Sequence, residues 1–89
     1  MEESLDINLL YDFLGLRKTF IPAGMMWGLL MTAVVEIEKK DFGFKICRKV
    51  VEIYRDSTKE ELFRFKEQSK YESLFKAVIE FIKWYNLNQ

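Results

Sequence analysis

The side chains with chemistry to offer in this chain are carboxylates, lysines, arginines, tyrosines and one cysteine, and histidine is absent. Without an imidazole, no serine or cysteine nucleophile can be activated in the histidine-dependent way, and histidine-containing zinc sites are excluded. Cys47, the one cysteine, cannot close an internal disulfide, and its presence alone fits a reduced, cytoplasmic setting. Arg48 and Lys49 follow it and would depress the pKa of an exposed thiol, although a small strand or core residue is the preferred reading. Asp56, Glu60 and Glu61 gather around a polar turn and offer the oxygen ligands that a divalent cation takes. Glu60 and Glu61 are adjacent, however, so in a strand they point to opposite faces, and a solvated turn is the better reading. These residues compose no catalytic, cofactor or metal site, and the expectation is a non-enzymatic protein.

Surfaces remain as the route to function. Trp84 lies off the apolar stripe of the last helix and is read either as a packed edge residue or, with Ile79 and Leu87, as part of a candidate protein contact, since large aromatics concentrate binding energy at interfaces. Lys45, Arg48 and Lys49 form a candidate nucleic-acid contact that would meet phosphates from a hairpin. The favoured alternatives for these three are solvation or pairing with the acidic first segment, which carries Glu2, Glu3, Asp6 and Asp12. Trp27 sits on a helical apolar stripe and is read as core. Met25, Met26 and Met31 suit an adaptable binding surface, but filling an irregular core is preferred. Fourteen basic residues balance fourteen acidic ones for a formal charge of zero, which removes the simplest argument for a nucleic-acid binder. The same neutrality favours association, so a homo-oligomer is an option beside an unknown protein partner.

The elements that position these residues follow from periodicity. The 89 residues make one domain, and a hydrophobic share of 49% with 16% aromatic residues argues for a packed core rather than a disordered tail. Residues 1–24 read as a leader helix and loop. Ser4 is its expected N-cap, Leu5, Leu9, Leu10, Phe13 and Leu14 its apolar positions, Gly15 its stop, and Pro22 marks the loop. Residues 25–89 read as helix, β-meander and helix. Trp27, Leu30, Val34 and Ile37 repeat at helical spacing from about Met25 to Lys40, with Met26, Leu29 and Ala33 widening the stripe. Beyond Gly43 the pattern becomes extended. Phe44 and Ile46 flank Lys45, a turn is preferred at Cys47 to Lys49, and Val50 to Arg55 forms a second strand. Asp56 to Lys59 is a turn, and Leu62 to Lys66 a third strand with Phe63 and Phe65 on one side and Leu62, Arg64 and Lys66 on the other. Ser69 and Glu72 form a capping box for a last helix to Tyr85, whose apolar face carries Tyr71, Leu74, Phe75, Val78, Phe81 and Ile82. The fold class is α+β, helix, helix, three-stranded antiparallel sheet, helix, a compact sandwich in which the two long helices cover one sheet face or both.

Two further readings are weighed against this order. Thr19 to Val35 carries no charge and approaches the roughly 17–25 residues that span a bilayer, but Pro22, Gly24, Gly28 and Thr32 interrupt it and a buried helix is preferred over a membrane segment. The acidic start Met1-Glu2-Glu3-Ser4 lacks the basic residues of a secretory signal. The order from Met25 onward also matches that of double-stranded RNA binding domains. Lys70, however, stands between Glu67 and Glu72 rather than in a lysine cluster.

Val34-Val35-Glu36-Ile37-Glu38, Gly43-Phe44, Ile53-Tyr54-Arg55-Asp56 and the closing Ala77-Val78-Ile79-Glu80-Phe81-Ile82-Lys83-Trp84-Tyr85-Asn86 together resemble small phage and prophage proteins of the phage ABA sandwich type. Phe13-Leu14-Gly15 and Ile21-Pro22 match that family's leader helix and proline loop, whereas Ala23-Gly24-Met25-Met26 departs from its long-helix start. The resemblance implies an α/β sandwich from a mobile element or prophage and brings no catalytic residues with it. The expected function is that of a small phage-type accessory protein acting through protein interaction, with nucleic-acid binding through the basic hairpin as the alternative.

Overall fold

Backbone hydrogen bonding divides the chain into α1 (Glu2–Leu14), α2 (Met26–Glu38), β1 (Phe42–Cys47), β2 (Val50–Arg55), β3 (Glu61–Lys66) and α3 (Lys70–Leu87). These come from a computed structural model that describes residues 2–15 and 26–88. The expected loop around Pro22, the residue Met25 and the first part of the uncharged run from Thr19 lie outside the described residues. Among the described residues, no helix is long and apolar enough to cross a membrane. The order is the one expected from the sequence, with shifted ends: α1 starts before Ser4, which is therefore no N-cap, and β1 starts at Phe42 rather than Phe44.

Each boundary has a local cause. Gly15 closes α1 with a left-handed φ of 69°, its amide bonding Asp12 O at 3.2 Å. Asp41 turns the chain from α2 into β1 with φ 70°, and its carboxylate accepts from the Ser57 amide at 3.0 Å and the Ser57 hydroxyl at 2.7 Å. That pair of bonds ties the exit of α2 to the β2–β3 turn. At the opposite end of the sheet, Arg48 and Lys49 form the two-residue β1–β2 turn, with Arg48 at φ 56° in a region that glycine or asparagine enters more easily. Ser69 caps α3 by accepting from the Glu72 amide at 3.1 Å, and the Asn88 side chain closes it on Trp84 O at 2.7 Å.

The sheet has the order β1-β2-β3 and is antiparallel throughout. Its register places Phe44 opposite Ile53 and Ile53 opposite Phe63, with Ile46, Val51 and Phe65 in the next row. This face is turned to the core, with Val51 and Ile53 of the central strand fully buried and the residues beside them half-buried. A bulge between Ile53 and Tyr54 shifts the third strand so that Tyr54 faces Glu61. Leu62 consequently packs against the core rather than joining Arg64 and Lys66 on the far side, contrary to simple alternation.

Both long helices lie on the same sheet face, α2 over β1 and α3 over β2 and β3, while α1 packs on α2 and α3 from the outside. Trp27 meets Tyr71 at one end of the helix pair, and Lys40 lies over the Tyr85 ring at the other, so α2 and α3 run parallel. The core they close contains Leu30, Ile37, Val51, Ile53, Leu74, Val78, Phe81 and Ile82, all without solvent exposure, and Leu10 of α1 seals it from outside. Among the described residues no element packs on the other sheet face. That face carries Lys45, Glu52, Tyr54, Glu61, Arg64 and Lys66. Gly43 is required there, because a Cβ would run into the ring of Tyr54 on the neighbouring strand.

Candidate interaction surfaces

The first surface comes from the phase of α2. Met26, Leu30, Ala33, Val34 and Ile37 are its buried residues, whereas Trp27, Met31 and Val35 stand 41%, 36% and 48% exposed. Trp27 and Met31 are therefore not core residues. The stripe at positions 26, 30, 33 and 37 has the same helical spacing as the expected stripe at 27, 30, 34 and 37. From residue 26 to 35 α2 has no charged residue to mark a wet side, so periodicity could not choose between the two phases. The ring of Trp27 lies 6.2 Å from that of Tyr71, itself 40% exposed, and Tyr71 lies 6.2 Å from Phe75. An apolar face thus runs along α2 and onto the start of α3. Gly28 and Thr32 lie exposed within it, and the Thr32 hydroxyl donates to Gly28 O at 2.9 Å, which leaves it satisfied inside the helix.

The expected contact around Trp84 takes a different form. Ile79 is buried at 2% exposure and Leu87 is 85% exposed, so these two share no surface. Trp84 is half-buried, set edge-on to Phe42 at 5.8 Å and to Phe63 at 6.0 Å and tilted against Phe81 at 5.8 Å. It ties the end of α3 to β1 and β3 through aromatic packing worth about 0.5–1.5 kcal/mol per pair beyond area burial.

Lys45, Arg48 and Lys49 are all exposed, as a solvated or ligand-binding hairpin requires. The register adds two bases that the sequence did not group with them. Arg64 stands across Glu52 from Lys45, and Lys66 stands opposite Val50 beside the turn. Arg48, Lys49, Val50 and Lys66 line a shallow concavity of about 420 Å³. The signal for Arg64 and Lys66 was their alternation with Phe63 and Phe65, but their proximity to Lys45 is a property of strand pairing. Ser73 fixes this end. Fully buried, its Oγ accepts from the Glu67 amide at 2.8 Å and donates to Lys49 O, so one hydroxyl pins both the hairpin turn and the exit of β3 to α3.

The acidic groups show no chemistry of that order. Asp56 pairs with Lys59 at 3.0 Å, both exposed, and this hydrogen bond is the main reason the Lys59 ammonium is held above its ordinary pKa. Glu61 is raised above its ordinary pKa of 4.5, first by a hydrogen bond with Glu52, then by desolvation and by the Glu52 charge, while Arg64 opposes the shift. Among the described residues no three acidic or cysteine side chains gather as a metal site. Cys47 is a free, exposed thiol on the outer sheet face.

The architecture defines a small α+β protein with a three-stranded antiparallel sheet covered on one face by two parallel helices, and with an apolar helix face and a basic sheet end turned outward. Comparison with known proteins adds no relative, because no family model, no curated protein and no solved structure matches the chain.

Proposed function

We propose that this chain is a small, non-enzymatic accessory protein that acts by binding another protein surface through Trp27, Met31, Val35 and Tyr71. Its placement among phage-type proteins of the cytoplasm is part of the same proposal and rests on the resemblance of the sequence. The observation that supports it is the outward face of α2. A helix on the surface of a water-facing domain normally carries charge on its outer side, and α2 carries large apolar side chains there instead. The residues first singled out for this role, Trp84, Ile79 and Leu87, do not share a patch, so the contact moves to the helix pair.

A second reading is favoured by the register that brings Arg64 and Lys66 beside Lys45, Arg48 and Lys49. Five bases at one end of an open sheet face suit a phosphate backbone, with Glu52 the acid set between them. One experiment separates the two. A photo-crosslinking amino acid placed at Met31, and in a second variant at Arg64, is irradiated in the native host. Covalent protein adducts at position 31 and none at 64 are expected. Nucleic-acid adducts at 64 with no adduct at 31 would replace the first reading by the second.

A further inference from the structure

We infer that the open sheet face holds a stretch of single-stranded nucleic acid, with one base stacked on the Tyr54 ring and the adjoining phosphates on the basic rows beside it. This rests on the second reading above, that of the basic sheet end, and names the strand and its platform. The apolar face of α2 lies on the other side of the molecule, so a protein contact there is independent of it.

The platform follows from the strand register. Tyr54 stands opposite Gly43 of β1, and a Cβ on Gly43 would run into Cζ, Oη and Cε2 of the Tyr54 ring, with Cζ the nearest. Cζ is the middle atom of the three. An approach in the plane of the ring would meet one of the outer two first, so the point lies above the ring's face, and the ring lies flat over Gly43. Gly43 is buried beneath it, although its row points outward. The other face of the ring turns away from the sheet, where the Lys59 ammonium stands 5.7 Å from the centroid. Lys59 is exposed, so a stacked base displaces it from the ring without uncovering a buried group. An aromatic ring held flat beside a basic track is the arrangement on which single strands bind, since every base has a face to stack.

The track follows from the same register. Along the outer face the first row is Gly43, Tyr54 and Glu61, the second Lys45, Glu52 and Arg64, and the third Cys47, Val50 and Lys66, with Arg48 and Lys49 beyond. Successive rows stand roughly 6.5–7 Å apart, a length that an extended nucleotide spans in one step. A base on Tyr54 therefore sets the next phosphates against Lys45 and Arg64 and then against Lys66, Arg48 and Lys49, all exposed. Two shallow concavities follow this line. One of about 440 Å³ is lined by Phe44, Lys45, Glu52, Tyr54, Lys59 and Glu61, and the other is the one at Arg48, Lys49, Val50 and Lys66. The acids fall where a base edge lies rather than a phosphate. Glu52 and Glu61 line the hollow beside the ring, and a carboxylate accepts from the exocyclic amino group of a base such as cytosine. Toward the turn, five bases surround Glu52 alone, and that excess complements a polyanion.

Fluorescence anisotropy at low salt tests the arrangement with a short labelled oligocytidine, as RNA and as DNA, beside a chain of the same length without bases and a duplex. Wild type is expected to bind the single strand more tightly than the baseless chain or the duplex, a comparison that needs no variant. Tyr54→Leu is expected to weaken binding of the single strand about 5- to 150-fold, the loss of one stacked base, and to leave the baseless chain unaffected. Tyr54→Phe keeps the ring and is expected to keep the affinity. Arg64→Ala with Lys66→Ala, both exposed positions, is expected to weaken both chains and to flatten the salt dependence. The tighter of RNA and DNA identifies the strand. Equal binding of the single strand and the baseless chain, a duplex bound as tightly as the single strand, or Tyr54→Leu at wild-type affinity overturns the platform and leaves the basic end as a phosphate site. No binding of any probe overturns both.

Discussion

Ser73 joins two distant parts of this fold, because one buried hydroxyl answers two backbone groups. Its Oγ bonds the Glu67 amide and the Lys49 carbonyl, which lie at the ends of different strands. Ser73→Ala leaves both groups without their partner in a largely dry position, at a cost of about 2 kcal/mol. Urea unfolding is expected to show that loss, with the thermal midpoint lower by roughly 10 °C for a domain of this size. A change within a few tenths of a kcal/mol would mean that water serves both groups. The residue was open to reading as one more polar position in the first turn of α3. Nothing in the sequence indicates that the turn of a hairpin 24 residues earlier ends against it. The phase of Trp27 was equally hidden, since an all-apolar stretch of helix has no polar side to fix its rotation.

At the scale of elements, the stop at Gly15, the cap at Ser69 and the alternation of β1 and of β3 from Phe63 onward were legible because each has a local cause, whereas Ser4 falls inside α1 and the bulge takes Leu62 out of the alternation. The one-sided covering of the sheet was not, because its residues suit either arrangement until α2 and α3 are placed. Its uncovered face brings Glu52 and Glu61 together from neighbouring strands, and this has a consequence for pH. Glu61 titrates above its ordinary 4.5 in the folded protein, so between that value and the raised one the folded state holds a proton that the unfolded chain has released. The contribution to stability is therefore present below pH 4.5 and is lost as the pH rises through the raised value of Glu61. Glu61→Gln is expected to raise the thermal midpoint at neutral pH and to leave it unchanged in acid, where the wild-type carboxyl is already neutral. Scanning calorimetry of both proteins across that range reads the difference. An equal offset at every pH would mean that Glu61 is not raised by its neighbour.

For the molecule as a whole, a formal charge of zero conceals a local excess of base. Lys45, Arg48, Lys49, Arg64 and Lys66 lie toward the β1–β2 turn around Glu52, while at the opposite end Asp41, Asp56, Glu60 and Glu61 are accompanied by Arg55 and Lys59. The apolar face of α2 runs between these ends on the other side of the molecule. A strand bound to the open sheet face stabilises the folded chain by linkage, so the wild-type thermal midpoint is expected to rise with oligocytidine concentration at low salt, while Arg64→Ala with Lys66→Ala loses most of that rise. Differential scanning fluorimetry over a titration measures this directly, and identical shifts for the two proteins would separate the stabilisation from the charge of the sheet end.

The chain by itself determined the element order, the antiparallel sheet, the stop at Gly15 and the cap at Ser69, since these depend on side-chain alternation and on backbone groups a few residues apart. It also limited the chemistry, through the missing histidine and the single cysteine. Tertiary structure alone decided the rotation of α2, the burial of Ile79, the seating of Trp84 against Phe42 and Phe63, and the union of Arg64 and Lys66 with the basic hairpin. Each of those depends on how far apart in sequence two partners lie, and helical or strand periodicity carries no information about which distant surface an apolar or charged face will meet.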